Sequence, residues 1–188
     1  MKEDIKAALE VLRNGGVILY PTDTVWGLGC DATNAEAVQR IYDIKKRADN
    51  KSMILLVDNP GRISGYIDEI PEIAFEVIDL AESPLTVILE GARNLAPNVI
   101  NRDDQSVGFR VVKESFCYNL IQQFKKPIVS TSANFSGEPT PTFFEEIDPN
   151  LMLAANYVVK YRQDDTLQSK PSGIIKIGKN GSVKVIRE

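Results

Sequence analysis

The chain is 188 residues long, 43% apolar and 26% charged, with 22 Lys and Arg against 26 Asp and Glu. That is the composition of an ordinary globular protein with room for one sizeable core, and a single domain over residues 1–188 is expected. Histidine is absent, which excludes Ser-His and Cys-His nucleophile pairs, the usual neutral-pH general base and the commonest zinc ligand.

With a formal charge of −4, any anion-binding site must be a local concentration of Lys and Arg against an acidic background. Cys30 and Cys117 lie far apart with no Cys-x-x-Cys spacing, the pattern of idle buried thiols rather than of a zinc knuckle or disulfide framework. No window approaches the roughly 20 unbroken apolar residues of a membrane span. Met1-Lys2-Glu3-Asp4 opens directly into an amphipathic pattern instead of a signal sequence, so a cytoplasmic protein with no membrane partner is expected.

Taken in chain order, Ile5, Ala8, Leu9 and Leu12 share one face of a helix over residues 4–14, which Gly15-Gly16 stops before the apolar run Val17-Ile18-Leu19-Tyr20. Asn34 is an N-cap candidate for a second helix carrying Val38, Ile41 and Tyr42. Met53-Ile54-Leu55-Leu56-Val57 reads as a buried strand. A helix over residues 71–82 precedes a strand at Leu85–Leu89; a strand at Val107–Val112, a helix over 114–124 and an extended Pro127–Thr131 follow. Tyr157–Tyr161 and Gly173–Ile177 flank a polar segment, 162–171, expected to be a loop over the site. Lys179-Asn180-Gly181 then turns the chain into Val183–Ile186, which predicts a terminal hairpin. Helices interleaved with short β-branched runs predict an α/β fold with an open, twisted, mixed sheet flanked by helices.

No Gly-x-x-x-x-Gly-Lys-Ser/Thr phosphate loop occurs, and Gly27-Leu28-Gly29 lacks the third glycine and following helix of a dinucleotide fingerprint. Phosphates can instead be held by Lys, Arg, hydroxyls and backbone N–H groups. The run Lys45-Lys46-Arg47-Ala48-Asp49-Asn50-Lys51-Ser52 is one candidate. It reads either as cations at a helix C-terminus or as a phosphate clamp, the latter only if the helix ends near Lys45, so that Lys45 and Arg47 share one side of extended chain.

Ser130-Thr131-Ser132-Ala133-Asn134 is the other candidate. A period of two puts Ser130, Ser132 and Asn134 on one side at the end of a buried strand; the competing reading is a turn continuing into Ser136-Gly137-Glu138-Pro139. Tyr20-Pro21-Thr22-Asp23-Thr24 has the same form, a strand ending in spaced hydroxyls or a Pro-initiated turn in which Asp23 caps backbone. Arg110, inside an apolar strand, must reach water along a sheet edge or meet an anion. By residue pattern alone, Ser172 and Arg187 are surface positions of the terminal hairpin.

Taken together, Tyr20–Gly29, the Lys-x-Arg pair Lys45 and Arg47 with Lys51, Pro84-Leu85-Thr86, Arg110, Ser130–Asn134 and Pro171-Ser172 resemble the YrdC-like threonylcarbamoyl-AMP synthases in their short, single-domain form. The resemblance runs over nearly the whole chain. It implies a YrdC-like fold with a large basic concave cavity, in which L-threonine, bicarbonate or CO2, and ATP accompanied by Mg2+ give threonylcarbamoyl-AMP and pyrophosphate. A downstream tRNA threonylcarbamoyl transferase would use that product for the N6-threonylcarbamoyladenosine (t6A) modification of tRNA. The resemblance further implies that Arg47, Lys51, Ser106, Ser132, Asn134, Thr140 and Arg187 contact ATP, and that Thr24, Arg110, Ser130 and Ser172 hold threonine. Lys45, Arg47, Ser132 and Asn134 form its two catalytic signature pairs, and no residue is implied as a metal ligand. The chain departs from the family pattern at Ala48 and Val112, where proline is usual, at Leu56, where histidine is common, and at Gly173, where threonine is usual. Two other readings stand beside the synthase: a protein binding double-stranded RNA or tRNA, which the acidic charge balance opposes, and a YciO-type paralogue of different activity.

Overall fold

Helix α1 (Lys2–Arg13) buries Ile5, Ala8, Leu9 and Leu12, the face read from the sequence, and leads into β1 (Ile18–Tyr20). These coordinates are a computed structural model, which describes residues 1–46, 53–166 and 170–188. β2 (Gly27–Gly29) runs into α2 (Ala35–Lys45), whose N-cap Asn34 accepts hydrogen bonds from the backbone N–H groups of Glu36 and Ala37. Lys46 takes the left-handed conformation at φ 50° and ends α2 immediately after Lys45. The elements β3 (Ile54–Val57), α3 (Glu72–Leu80), β4 (Leu85–Leu89), β5 (Val107–Val111), α4 (Ser115–Phe124) and β6 (Ile128–Ser132) follow where the pattern places them.

Beyond them come α5 (Pro149–Ala154), β7 (Tyr157–Val158) and the hairpin of β8 (Gly173–Ile177) with β9 (Val183–Arg187). Two elements have no counterpart in the sequence reading. β2 is three residues long with glycine at both ends, too short to show a period, and α5 is a brief helix started by the Asp148 cap and Pro149. The extended run expected over Tyr157–Tyr161 pairs only as far as Val158, beside β1 rather than beside the hairpin.

The strands form one mixed sheet in the order β7-β1-β2-β6-β3-β5-β4-β8-β9. Side-chain alternation divides it into two faces. Leu55, Val57, Val87, Leu89, Val107, Phe109, Val129, Ile175 and Ile177 belong to the larger core, packed with Ala37, Val38, Ile41 and Tyr42 of α2 and with Ala74 and Ile78 of α3. On the opposite face Ile18, Tyr20, Leu56 and Ile128 pack against α1 and against Phe116, Cys117, Leu120 and Ile121 of α4.

Helices α1 and α4 cover only part of that second face. Register aligns Ile128, Leu56, Arg110, Thr86, Ile174 and Arg187 in one row across it, and Ser130, Ile54, Gly108, Ile88 and Lys176 in the next. Ile128 and Leu56 lie under the helices. Where the helices stop, hydroxyls, cations and a glycine stand among Ile54, Ile88 and Ile174, and a cavity opens above them.

Gly29 illustrates how tightly the first three strands approach. β2 runs between β1 and β6, and a Cβ at Gly29 would fall 2.6 Å from the Tyr20 ring and 2.7 Å from the Val129 carbonyl oxygen. The glycines at 27–29 are thus packing residues of a strand. Gly29→Ala should cost about 1–3 kcal/mol by overpacking, read as a lower urea midpoint at unchanged denaturant slope. An unchanged midpoint would contradict the packing.

Candidate functional site

The uncovered part of the second face carries a cavity of about 510 Å³, inside the range of roughly 300–1,000 Å³ found for small-molecule sites. Arg110, Ser130, Thr24 and Ser172, the residues expected to hold threonine, all line it. So do Ser106, Ser132, Thr140 and Arg187 from the expected ATP set. Lys45 and Asn134 are placed behind the wall instead, and Arg47, Lys51 and Ala48 lie outside the described residues.

Arg110 sits in β5, an interior strand between β3 and β4, and is only 4% exposed. The edge-strand reading therefore gives way to the anion reading. Its Nη2 lies 2.9 Å from Asp23 Oδ1, an ion pair largely removed from water. Opposite charge carries the contact. Burial pushes the Asp23 carboxyl above its ordinary range, and the pull of Arg110 in the other direction offsets this only in part.

The turn leading to Asp23 is closed by Thr22, whose hydroxyl donates to the Val25 carbonyl at 2.7 Å and accepts from the Thr24 N–H at 3.0 Å. Asp23 is thereby turned to Arg110, where sequence had offered a backbone-capping role. Thr24 reaches the cavity, with its hydroxyl 3.0 Å from that of Thr22. Across the floor, the Ser172 and Thr86 hydroxyls share a hydrogen bond of 2.9 Å. The Arg187 guanidinium donates twice to the Ser172 carbonyl, at 3.0 and 2.7 Å. Arg187, read from sequence as a surface position of the hairpin, thus joins the cavity through the loop before β8.

The period-two alignment of Ser130, Ser132 and Asn134 holds for the first two and then stops. Strand pairing ends at Ser132, and the Asn134 N–H donates to the Ser132 carbonyl at 2.9 Å, which turns the chain. The Asn134 side-chain amide donates to the Phe135 and Glu138 carbonyls, so the strand and the turn readings each describe part of the segment.

Thr86, Asn101, Asp104 and Lys176 also line the cavity and were given no role by sequence. Lys176 Nζ lies 2.7 Å from Asp104 Oδ2 and 3.0 Å from Glu90 Oε1, and hydrogen bonds to these carboxylates hold its ammonium above the ordinary lysine range. Burial alone would raise the Asp104 carboxyl, but hydrogen bonds from Lys176 and Ser106 together bring it below its ordinary value. A signal existed for Thr86 and Lys176: each is a polar interruption of an apolar strand. It becomes decisive only when register sets them in line with Arg110 and Gly108. Asp104 lies in an irregular loop with no such signal. Since Arg110 and Lys176 each face a carboxylate, the described walls do not by themselves make this a basic cavity. Among the described residues no group of three or more Cys, Asp or Glu is placed to hold a metal ion, and none of their helices is long and apolar enough to cross a membrane.

A family model described as Telomere recombination, for Sua5, YciO and YrdC, matches residues 10–188. The chain belongs to the Sua5/YciO/YrdC family. It is 36% identical over 184 residues to a threonylcarbamoyl-AMP synthase of Pseudoalteromonas translucida, covering 95% of each chain. E. coli YciO superposes with a TM-score of 0.85 at 26% identity, over 100% of this chain and 90% of that one. Sua5 of P. abyssi, solved in complex with L-threonine, matches with a TM-score of 0.80 at 26% identity; the match takes in 92% of this chain but half (50%) of the longer Sua5 chain. The mixed α/β architecture is therefore that of the family.

The raised Asp23 carboxyl has a consequence for stability. A carboxyl whose folded pKa exceeds its unfolded value favours the folded state most at low pH, and this contribution is lost as pH rises through the raised value. Urea midpoints should therefore contain a component that declines between the ordinary aspartate pKa of 3.8 and neutrality. Asp23→Asn should remove it. Parallel pH profiles for the two proteins would show that Asp23 does not titrate in this window.

Proposed function

We propose that the chain is a threonylcarbamoyl-AMP synthase, a nucleotidyltransferase that makes threonylcarbamoyl-AMP and pyrophosphate from L-threonine, bicarbonate or CO2, and Mg2+-bound ATP. The observation that carries this reading is the Arg110 end of the cavity. A buried guanidinium that lines the cavity is grouped there with the hydroxyls of Thr24, Ser130 and Ser172. Such a set suits a small hydroxylated amino acid, its carboxylate on Arg110. The relatives named as synthases, and the L-threonine held by the Sua5 structure, support the same assignment.

In this reading the threonine amine attacks the carbon of CO2 and loses a proton to give a carbamate. A carbamate oxygen then attacks the α-phosphorus of ATP, the bond to the bridging oxygen breaks, and pyrophosphate leaves. Neither step needs a protein nucleophile, so a chain without histidine is not at a disadvantage. Alignment of the two reactants and neutralisation of phosphate charge are sufficient. Ser106, Ser132, Thr140 and Arg187 would take the nucleotide, together with Arg47 and Lys51, while Asn134 would support them through the turn that its side chain closes. Magnesium would arrive with ATP as part of the substrate. The product would pass to a tRNA threonylcarbamoyl transferase in the cytoplasm for t6A formation.

The test is pyrophosphate release by the purified chain with ATP and magnesium. Release should depend on both threonine and bicarbonate, and release indifferent to threonine would sink the assignment. Arg110→Lys keeps the charge but loses the planar fork, so it should raise the threonine KM about tenfold or more while leaving the ATP KM near its original value. An unaltered threonine KM would remove Arg110 from the carboxylate site.

One observation favours a second reading, a YciO-type paralogue of different activity: YciO matches the whole chain with the higher TM-score. Leu56, fully buried in the core under α4 beside Arg110 in register, and Gly173 at the start of β8 are the departures closest to the threonine end. Calorimetric titration of threonine, serine and other amino acids in the presence of an ATP analogue separates the two, since only the synthase reading requires preference for threonine.

A further inference from the structure

Lys45 is the last residue of α2 and is 2% exposed. An ammonium group is almost never buried to this degree unless it is paired. Its partners come from the other half of the site: Nζ donates to the main-chain carbonyls of Ser132 and Asn134 and lies 3.4 Å from Asn134 Oδ1. Carbonyl and amide oxygens are suitable acceptors for the N–H donors of an ammonium group. The contact is reciprocal, because the Ser136 N–H donates at 2.9 Å to the Lys45 carbonyl, one of the carbonyls that a helix C-terminus leaves without an internal partner. The Asn134 amide bonds to Phe135 and Glu138 close the same turn. The turn after β6 is thus seated on the end of α2 from both sides.

We propose that Lys45 is a positioning residue rather than a phosphate ligand. Through the carbonyls of Ser132 and Asn134 it fixes the wall from which Ser132 presents its hydroxyl to the nucleotide. The inference rests on the nucleotide-binding reading of the cavity given above. Ser132 is the hinge of the argument, since its carbonyl is held by Lys45 while its residue lines the cavity. Without the ammonium group, the Asn134 carbonyl loses this donor and the Ser132 carbonyl is left with the Asn134 N–H alone, so the turn is held less firmly to the end of α2. That displacement affects every ligand that leans on this wall, whatever its number of phosphates. A lysine touching phosphate behaves differently, its loss growing with the ligand's charge.

The experiment measures binding of AMP, ADP and a non-hydrolysable ATP analogue by calorimetry, with the full chain and at a temperature where circular dichroism shows each variant folded. Lys45→Met should weaken all three by a similar factor, on the order of tenfold, as expected when a charged donor is withdrawn from half-buried carbonyls. Lys45→Gln keeps two N–H donors without the charge, and should restore part of the affinity equally for all three nucleotides. This second variant carries the test if the Met variant does not fold. A loss graded steeply from AMP to the ATP analogue, with no recovery in the Gln variant, would make Lys45 a phosphate ligand and overturn the proposal. Unchanged affinities accompanied only by a lower unfolding midpoint would overturn it too, leaving Lys45 a purely structural role. Absence of nucleotide binding by the unsubstituted chain would sink the functional reading and this inference with it, whereas a graded loss sinks this inference alone.

Discussion

One face of the sheet is covered by helices only in part, and the rest of the molecule is arranged around that boundary. Under α1 and α4 the face is made of Ile18, Tyr20, Leu56 and Ile128, which bury apolar surface at about 25 cal/mol per Å². Where the helices end, the same strands carry Ser130, Gly108, Arg110, Thr86 and Lys176 among Ile54, Ile88 and Ile174. Apolar side chains are usual in the walls of small-molecule cavities. Polar ones, in turn, need partners once they are half enclosed, and the floor supplies them through the Arg110–Asp23 pair, the Thr86–Ser172 bond and the Lys176 bridges.

Local charge follows from the same arrangement. The chain as a whole is acidic, yet Arg110 and Lys176 are concentrated on the cavity floor, each beside a carboxylate. A buried cation without a counter-ion would be costly, so the resting site carries its own anions. The Arg110 guanidinium is thereby held in place on the cavity floor. The raised carboxyl of Asp23 reflects the unfavourable side of that arrangement, burial of an anion that one cation compensates only in part.

Family membership and site geometry bear on different questions. The match over residues 10–188 settles the family and the architecture, and both a synthase chain and YciO lie within it. Leu56 and Gly173 both lie near Arg110 in the sheet. Leu56 belongs to the core beneath α4, so it shapes the cavity floor from below rather than lining it.

By itself, the sequence determined the alternation of helices and strands, the N-cap at Asn34 and the terminal hairpin, because each depends on periodicity or on capping chemistry within a few residues; it left open where the second helix ends. It also marked Arg110 as a cation that had to meet an anion or water. It could not say which. Only the tertiary structure made β5 an interior strand, brought Asp23 to Arg110, and set Thr86, Gly108 and Lys176 in register as a common floor. It also ended the alignment of Ser130 and Ser132 before Asn134 and turned Lys45 toward main-chain carbonyls of a segment distant in the chain. Those outcomes depend on strand order and on which parts of a face the helices cover, and both are settled by long-range packing.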